Sequence, residues 1–114
     1  MSNGKLKLVL CWHMHQPHYR DGQNGIYRLP WVYLHALKDY TDMVWHLENC
    51  PQAKVVVNFA PVLVEQLQDY AVQLEQWLAK GGDCLTDELL NRLVGNTLVP
   101  KDLEGRKHWI ELCQ

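Results

Sequence analysis

The chain has 114 residues, of which 47% are hydrophobic, 21% charged and 10% aromatic. These fractions are typical of an ordinary soluble globular protein and exclude a disordered tail or a fibrous repeat. The chain carries 11 basic and 13 acidic residues, a formal charge of −2. Binding to duplex DNA or to an anionic membrane normally requires a basic surplus, so neither a nucleic-acid nor a membrane partner is expected.

The cysteines and the N-terminal residues favour a cytoplasmic protein. No Cys-x-x-Cys motif occurs, and the apolar stretch at residues 8–12 is too short for the core of a signal peptide. No run approaches the ~18 apolar residues that a membrane span needs. Reduced thiols are therefore expected at all four cysteines, Cys11, Cys50, Cys84 and Cys113.

The first predicted element is a β-strand over residues 5–14. Alternate positions form one apolar face, which carries Leu6, Leu8, Leu10, Trp12 and Met14. The opposite face is also largely apolar after Lys7, until His13 and His15. This pattern predicts a strand covered on both faces, as in parallel α/β sheets, and ending before Pro17.

The remaining elements follow in the order α-β-α-α-α. After a polar loop at residues 18–29, Pro30 opens a predicted helix to about Glu48, and three consecutive valines predict a strand at residues 54–59. Pro61 opens a long helix that ends at Gly81, with an apolar stripe of Leu63, Leu67, Tyr70, Leu74, Trp77 and Leu78.

Two shorter helices complete the prediction. Thr86, Asp87 and Glu88 indicate the N-cap of one that ends near Gly95, and Pro100 precedes the last. The class is therefore α/β, with two parallel strands joined by a crossover helix. Because a two-stranded parallel sheet buries little surface, we expect the chain to be the N-terminal part of a larger domain. Residues 1–82 would form its βαβα core and residues 83–114 a helical segment.

The residues that can carry chemistry lie where the strands end. His13 and His15 share one face at the carboxyl end of the first strand, and Asn58 ends the second strand at the same edge. Ligands of α/β proteins bind at this edge. Two imidazoles there can bind a metal, move protons or form hydrogen bonds with a polyol. Asn58 can bind a ligand or its own neighbouring loop.

Catalytic carboxylates are not expected within this chain. Glycoside hydrolysis usually needs two carboxylates facing the scissile bond, but nearly all the acids lie in predicted helices or their flanks. Only Asp21 lies in a loop at the presumed active edge, and no second carboxylate is predicted to pair with it. A third metal ligand at a familiar spacing is missing, as is a glycine-rich phosphate loop, so neither a metal nor another cofactor is expected.

Three sequence blocks resemble the start of glycoside hydrolase family 57, which contains α-amylase-like, amylopullulanase-like, branching and 4-α-glucanotransferase enzymes. The blocks are residues 12–17 (WHMHQP), residues 29–35 (LPWVYLH) with 38–40 (KDY), and residues 57–70 (VNFAPVLVEQLQDY). The likeness spans residues 7–70 in consistent order.

The resemblance implies the first βα units of an incomplete (β/α)7 barrel with helices packed outside, and a retaining mechanism on α-glucan polysaccharides or oligosaccharides. The family's His-Gln-Pro signature matches His15, Gln16 and Pro17, which makes His15 a substrate contact with His13 beside it. The substrate-binding set is then His13, His15, Gln16 and Asn58. The nucleophilic glutamate and the acid/base aspartate belong to later motifs, so the rest of the barrel is needed for folding and activity.

Two other functions are consistent with the same residues. One is a metal-dependent hydrolase of the polysaccharide-deacetylase kind, in which His13 and His15 are metal ligands. The other is a non-catalytic α/β module that binds a sugar or a partner protein. Metal analysis separates the first from a glycoside hydrolase, and cooperative folding of the isolated chain would favour the second.

Overall fold

Two parallel strands and a set of helices form the part of the chain that the computed structural model describes, residues 6–82, 84–95 and 102–112. The elements in chain order are β1 (Leu10–Met14), α1 (Trp31–His35), a π-helical turn (Ala36–Tyr40), α2 (Thr41–Asn49), β2 (Val55–Phe59), α3 (Pro61–Lys80), α4 (Glu88–Leu93) and α5 (Leu103–Leu112). The predicted α/β class is confirmed. Pro100 and Cys113 lie outside the described residues.

The two strands pair in parallel, in the register that joins Leu10 to Val55 and Met14 to Phe59. The ladder extends one step further, because the Ala60 amide donates to the Met14 carbonyl at 2.9 Å. The prediction of a strand from residue 5 was too long at its start. Residues 6–9 are apolar except for Lys7, but within the described chain no neighbouring strand supplies hydrogen-bond partners for them.

The predicted helix between the strands is one helical run with a change of winding in its middle. A π-helical turn, Ala36–Tyr40, separates α1 from α2. The Thr41 hydroxyl donates to the Ala36 carbonyl, five residues back, at 3.0 Å, which matches the wider spacing of such a turn. The run ends as predicted just before Cys50, whose amide donates to the Leu47 carbonyl.

The helices cover one face of the sheet and leave the other open in the described chain. Met14 is buried, and Trp12 and Val57 are half-buried on the helix side. The expectation of cover on both faces is therefore wrong for the described residues. Apolar side chains remain in solvent along this part of the chain, among them Leu6, Leu8, Val9 and Val56. Leu8 is 78% and Val56 54% exposed.

The core lies between α3, α1, α4 and the loop at residues 18–29. Its buried members are Met14, Tyr27, Val32, Tyr33, Leu63, Tyr70, Leu85, Leu89 and Leu90. On α3 the buried positions include two glutamines, Gln66 and Gln73, with Leu63 and Tyr70. The predicted stripe was wrong at Leu78, which is 76% exposed.

Helix α4 is capped as the sequence predicts. The Asp87 carboxylate accepts a hydrogen bond from the Leu90 amide at 2.9 Å and another from the Tyr70 hydroxyl at 2.5 Å. Burial, followed by the nearby Asp87 carboxylate, raises the pKa of Tyr70. None of the described helices is both long enough and apolar enough to cross a membrane.

Candidate functional site

The two histidines of β1 form a parallel pair of rings at the carboxyl end of the strand. Their ring centroids are 5.9 Å apart and the ring planes differ by 9°. Both side chains are exposed, on the sheet face that the helices do not cover. The pair forms because residues two apart on a strand point to the same side, as the sequence predicts for His13 and His15.

Asn58 binds the first of these rings across the sheet. The strand register places Asn58 beside His13, and the His13 Nδ1 to Asn58 Oδ1 distance is 2.6 Å. Since an amide oxygen can only accept, His13 Nδ1 is the donor. In the neutral ring the proton is then on Nδ1, and His13 Nε2 is free to accept a hydrogen bond from a ligand. The Asn58 side chain therefore binds His13 and not its own neighbouring loop, and its role in binding a ligand stays a prediction.

Gln16 belongs to a different set of contacts. Its side chain is half-buried, its Oε1 accepts from the Tyr19 hydroxyl at 3.1 Å, and its Nε2 lies 3.4 Å from the Tyr40 hydroxyl. The structure thus brings His13, His15 and Asn58 together on one face and holds the Gln16 amide between two tyrosines. The π-helical turn supplies one of these tyrosines, Tyr40.

The loop that follows the histidines is tied to α3 by polar side chains. Asp69 of α3 accepts a hydrogen bond from the Tyr27 hydroxyl at 3.0 Å and forms an ion pair with Arg20 at 3.2 Å. Burial, and then the Asp69 carboxylate, raise the pKa of Tyr27. These contacts fix residues 18–29 against the helix layer, next to the ends of both strands.

Asp21 stabilises this loop from within. It accepts a hydrogen bond from the Gln23 amide at 2.7 Å and forms an ion pair with Arg28. The Gln23 amide, followed by the Arg28 guanidinium, holds the pKa of Asp21 below its usual range. Its partner follows seven residues later, because the loop folds back on itself between Tyr19 and Arg28.

One residue next to the site was not predicted from the sequence. Gln66 of α3 is 1% exposed, and its side-chain amide hydrogen-bonds to the backbone at Pro17, the last residue of the His-Gln-Pro triplet, and at Tyr19. The sequence does contain a pattern that indicates the burial of Gln66. Leu63, Gln66, Tyr70 and Gln73 recur at intervals of three and four, the spacing of one buried helix face, but a polar side chain is not counted in a hydrophobic pattern.

The chemistry available at this edge is hydrogen bonding by imidazole and amide groups. Within residues 6–82, 84–95 and 102–112, no group of three or more His, Cys, Asp or Glu side chains is arranged to hold a metal ion. Cys11, Cys50 and Cys84 are free thiols. An imidazole pair held by a neighbouring amide can both donate to and accept from hydroxyl groups.

The fold and this edge define an α/β chain whose first strand presents two parallel imidazoles where the strand ends. The chain belongs to glycosyl hydrolase family 57, because the sequence model of that family matches residues 9–96. The match includes both strands, α3 and α4, and all the residues of the edge described above. By family, the protein is a glycoside hydrolase. Comparisons with curated proteins and with solved structures each give no match.

Proposed function

We propose that this chain forms the first βα units of a retaining glycoside hydrolase or transferase that acts on α-glucans in the cytoplasm. The observation that carries the proposal is the parallel pair of imidazoles, with His13 held by Asn58 at 2.6 Å. An α-glucan presents hydroxyl groups at regular spacing, and the proposed site offers fixed donors and acceptors to them. His13, His15, Gln16 and Asn58 are the proposed substrate-binding residues.

The role of the imidazoles follows from the charge that develops during cleavage. A retaining enzyme forms and breaks a glycosyl-enzyme bond through an oxocarbenium-like transition state. Hydrogen bonds to sugar hydroxyls that strengthen as this charge grows lower the barrier more than they tighten ground-state binding. His15 is the proposed contact to the sugar at the cleavage point, and His13 supports it from the adjacent position. The nucleophile and the acid/base group are proposed to come from other strands.

The open surfaces of the sheet support a larger barrel. Each of the two strands has an unpaired edge in the described chain, the face that carries the histidines also exposes apolar Val56, and Val9 is exposed directly before β1. Unpaired edges and exposed apolar side chains are normally covered by further structure. Additional parallel strands would close the sheet into the proposed (β/α)7 barrel, with residues 1–82 as its first βαβα units. Residues 83–114 would be a helical segment of the same domain.

Hydrolysis of maltoheptaose by the full-length protein tests the proposal. His15→Ala should lower kcat/KM by ~10²-fold, in line with the loss of one transition-state hydrogen bond. His18→Ala is the matched control, because His18 is an exposed histidine three residues further on, beyond Pro17. It should leave kcat/KM unchanged. A folded His15→Ala variant with the wild-type kcat/KM would remove His15 from the site, and the product lengths distinguish hydrolysis from transfer.

A further inference from the structure

We infer that Gln66 is a positioning residue that holds the turn after the His15-Gln16-Pro17 triplet in its substrate-binding geometry. The inference rests on the proposed function, because it assigns this turn to the substrate site. Gln66 lies on α3, 49 residues from Pro17 in sequence, and is 1% exposed. Its side chain hydrogen-bonds to backbone groups of Pro17, Tyr19 and Val62, so it acts on the site through the backbone.

The side-chain amide of Gln66 both accepts from and donates to the backbone of the turn, as a peptide group of a neighbouring segment would. Its Oε1 accepts from the Tyr19 amide at 2.9 Å, and its Nε2 donates to the Pro17 carbonyl at 2.9 Å. The second Nε2 proton goes to the Val62 carbonyl at 3.1 Å, one turn back on the same helix. Both donor protons are used, so the amide is fixed in one orientation. A single side chain thereby holds the backbone on both sides of residue 18.

The hydrogen bond between Gln66 and the Tyr19 amide also affects the proposed substrate-binding residues, because Tyr19 in turn contacts Gln16. The Tyr19 hydroxyl donates to Gln16 Oε1 at 3.1 Å, and the Tyr19 carbonyl accepts from the Arg28 amide at 3.0 Å. The order of contacts is therefore Gln66, then Tyr19, then Gln16. When Gln66 is replaced, the part-buried Tyr19 amide and Pro17 carbonyl lose their partner, and the turn is expected to rearrange because an unsatisfied polar group away from solvent is costly. Gln16 and His15, directly before the turn, are expected to move with it.

The same helix supplies a matched control. Gln73 lies two turns further along the same buried face and is 7% exposed. Its Nε2 donates to Asp69 at 2.7 Å, and its Oε1 accepts from the Thr86 amide at 2.8 Å and from the Thr86 hydroxyl at 3.1 Å. It ties α3 to the segment before α4 rather than to the strand end. Gln73→Leu therefore removes a buried glutamine with a similar number of hydrogen bonds and leaves the His-Gln-Pro turn intact.

The experiment compares Gln66→Leu with Gln73→Leu in the full-length protein. Binding of maltoheptaose is measured by calorimetry, and the side-chain NMR signals of His13, His15 and Gln16 are followed with nitrogen-labelled histidine and glutamine. Gln66→Leu should raise Kd about 10-fold through lost preorganisation and shift the signals of His15 and Gln16. His13, held by β2 through Asn58, should shift much less. Gln73→Leu should leave Kd and all three signals unchanged.

Gln66→Glu is the second variant and decides the question if Gln66→Leu does not fold. It keeps the shape of the side chain and the acceptor for Tyr19, but as a carboxylate it no longer donates to the Pro17 carbonyl. The inference is overturned if the folded variants keep the wild-type His15 and Gln16 signals, or if Gln73→Leu shifts them equally. If the wild-type protein binds no maltoheptaose, the proposed function fails, and the NMR signals still decide whether Gln66 positions the turn.

Discussion

Replacement of Asn58 by alanine tests whether this residue acts through His13. The hydrogen bond between His13 Nδ1 and Asn58 Oδ1, 2.6 Å long, joins the two strands on the exposed face of the sheet. A hydrogen bond of this kind contributes about 1 kcal/mol net. If that energy orients the His13 ring for the transition state, Asn58→Ala should lower kcat/KM for maltoheptaose about fivefold.

A double-mutant cycle separates this role from direct contact between Asn58 and the substrate. His13→Ala alone should cost about 10²-fold in kcat/KM if the ring makes a transition-state hydrogen bond. In that background Asn58→Ala should have no further effect, because the ring that it orients is gone. Val56→Ala is the matched control, since Val56 lies two residues earlier on the same exposed face of β2. It should leave kcat/KM unchanged.

Additive effects of Asn58→Ala and His13→Ala on kcat/KM would contradict a role of Asn58 through His13. If Asn58→Ala lowers kcat/KM by the same factor with and without His13, the amide acts on the substrate or on the fold and not on the ring. An unchanged kcat/KM in the single Asn58→Ala variant would show that the stacking of His13 against His15 suffices to orient the ring. Either result is read from initial rates at subsaturating maltoheptaose.

Four further predictions concern stability, pH, metal ions and the isolated chain. Asp87→Ala should lower the free energy of unfolding by about 2–4 kcal/mol in urea titrations, because α4 loses its N-cap and the buried Tyr70 hydroxyl loses its acceptor. Burial raises the pKa of Asp87 above the 3.8 of the unfolded chain. The stability of the wild type relative to Asp87→Asn should therefore be greatest below pH 3.8 and fall as the pH rises through the higher folded pKa. A chelator should leave the hydrolysis of maltoheptaose unchanged, because a retaining glycoside hydrolase acts through two carboxyl groups and not through a metal ion. Stoichiometric zinc, with loss of activity on its removal, would instead favour chemistry of the deacetylase kind. Residues 1–114 expressed alone should bind a hydrophobic dye and unfold without a sharp transition, because Leu8 and Val9 are largely exposed. A sharp unfolding transition would contradict the proposal that further strands complete the domain.

The local pattern of the sequence was sufficient to predict the class of fold and the histidine pair. Alternation on a strand requires residues 13 and 15 to share a face, whatever surrounds them. Proline and glycine at the helix ends gave the start of α3 at Pro61 and its end before Gly81. The cap of α4 was predicted at Thr86, Asp87 and Glu88, and the structure gives Asp87, because capping depends on a hydrogen bond only three residues away. All of these features are local.

Features that depend on distant parts of the chain required the tertiary structure. The length of β1 is set by its partner, since only residues opposite β2 gain backbone hydrogen bonds. The contact between His13 and Asn58 depends on strand register, and the burial of Gln66 depends on where the turn after Pro17 meets α3. Hydrophobic periodicity carries no information about such pairings, because a polar side chain is buried only when a particular partner, far away in sequence, satisfies it.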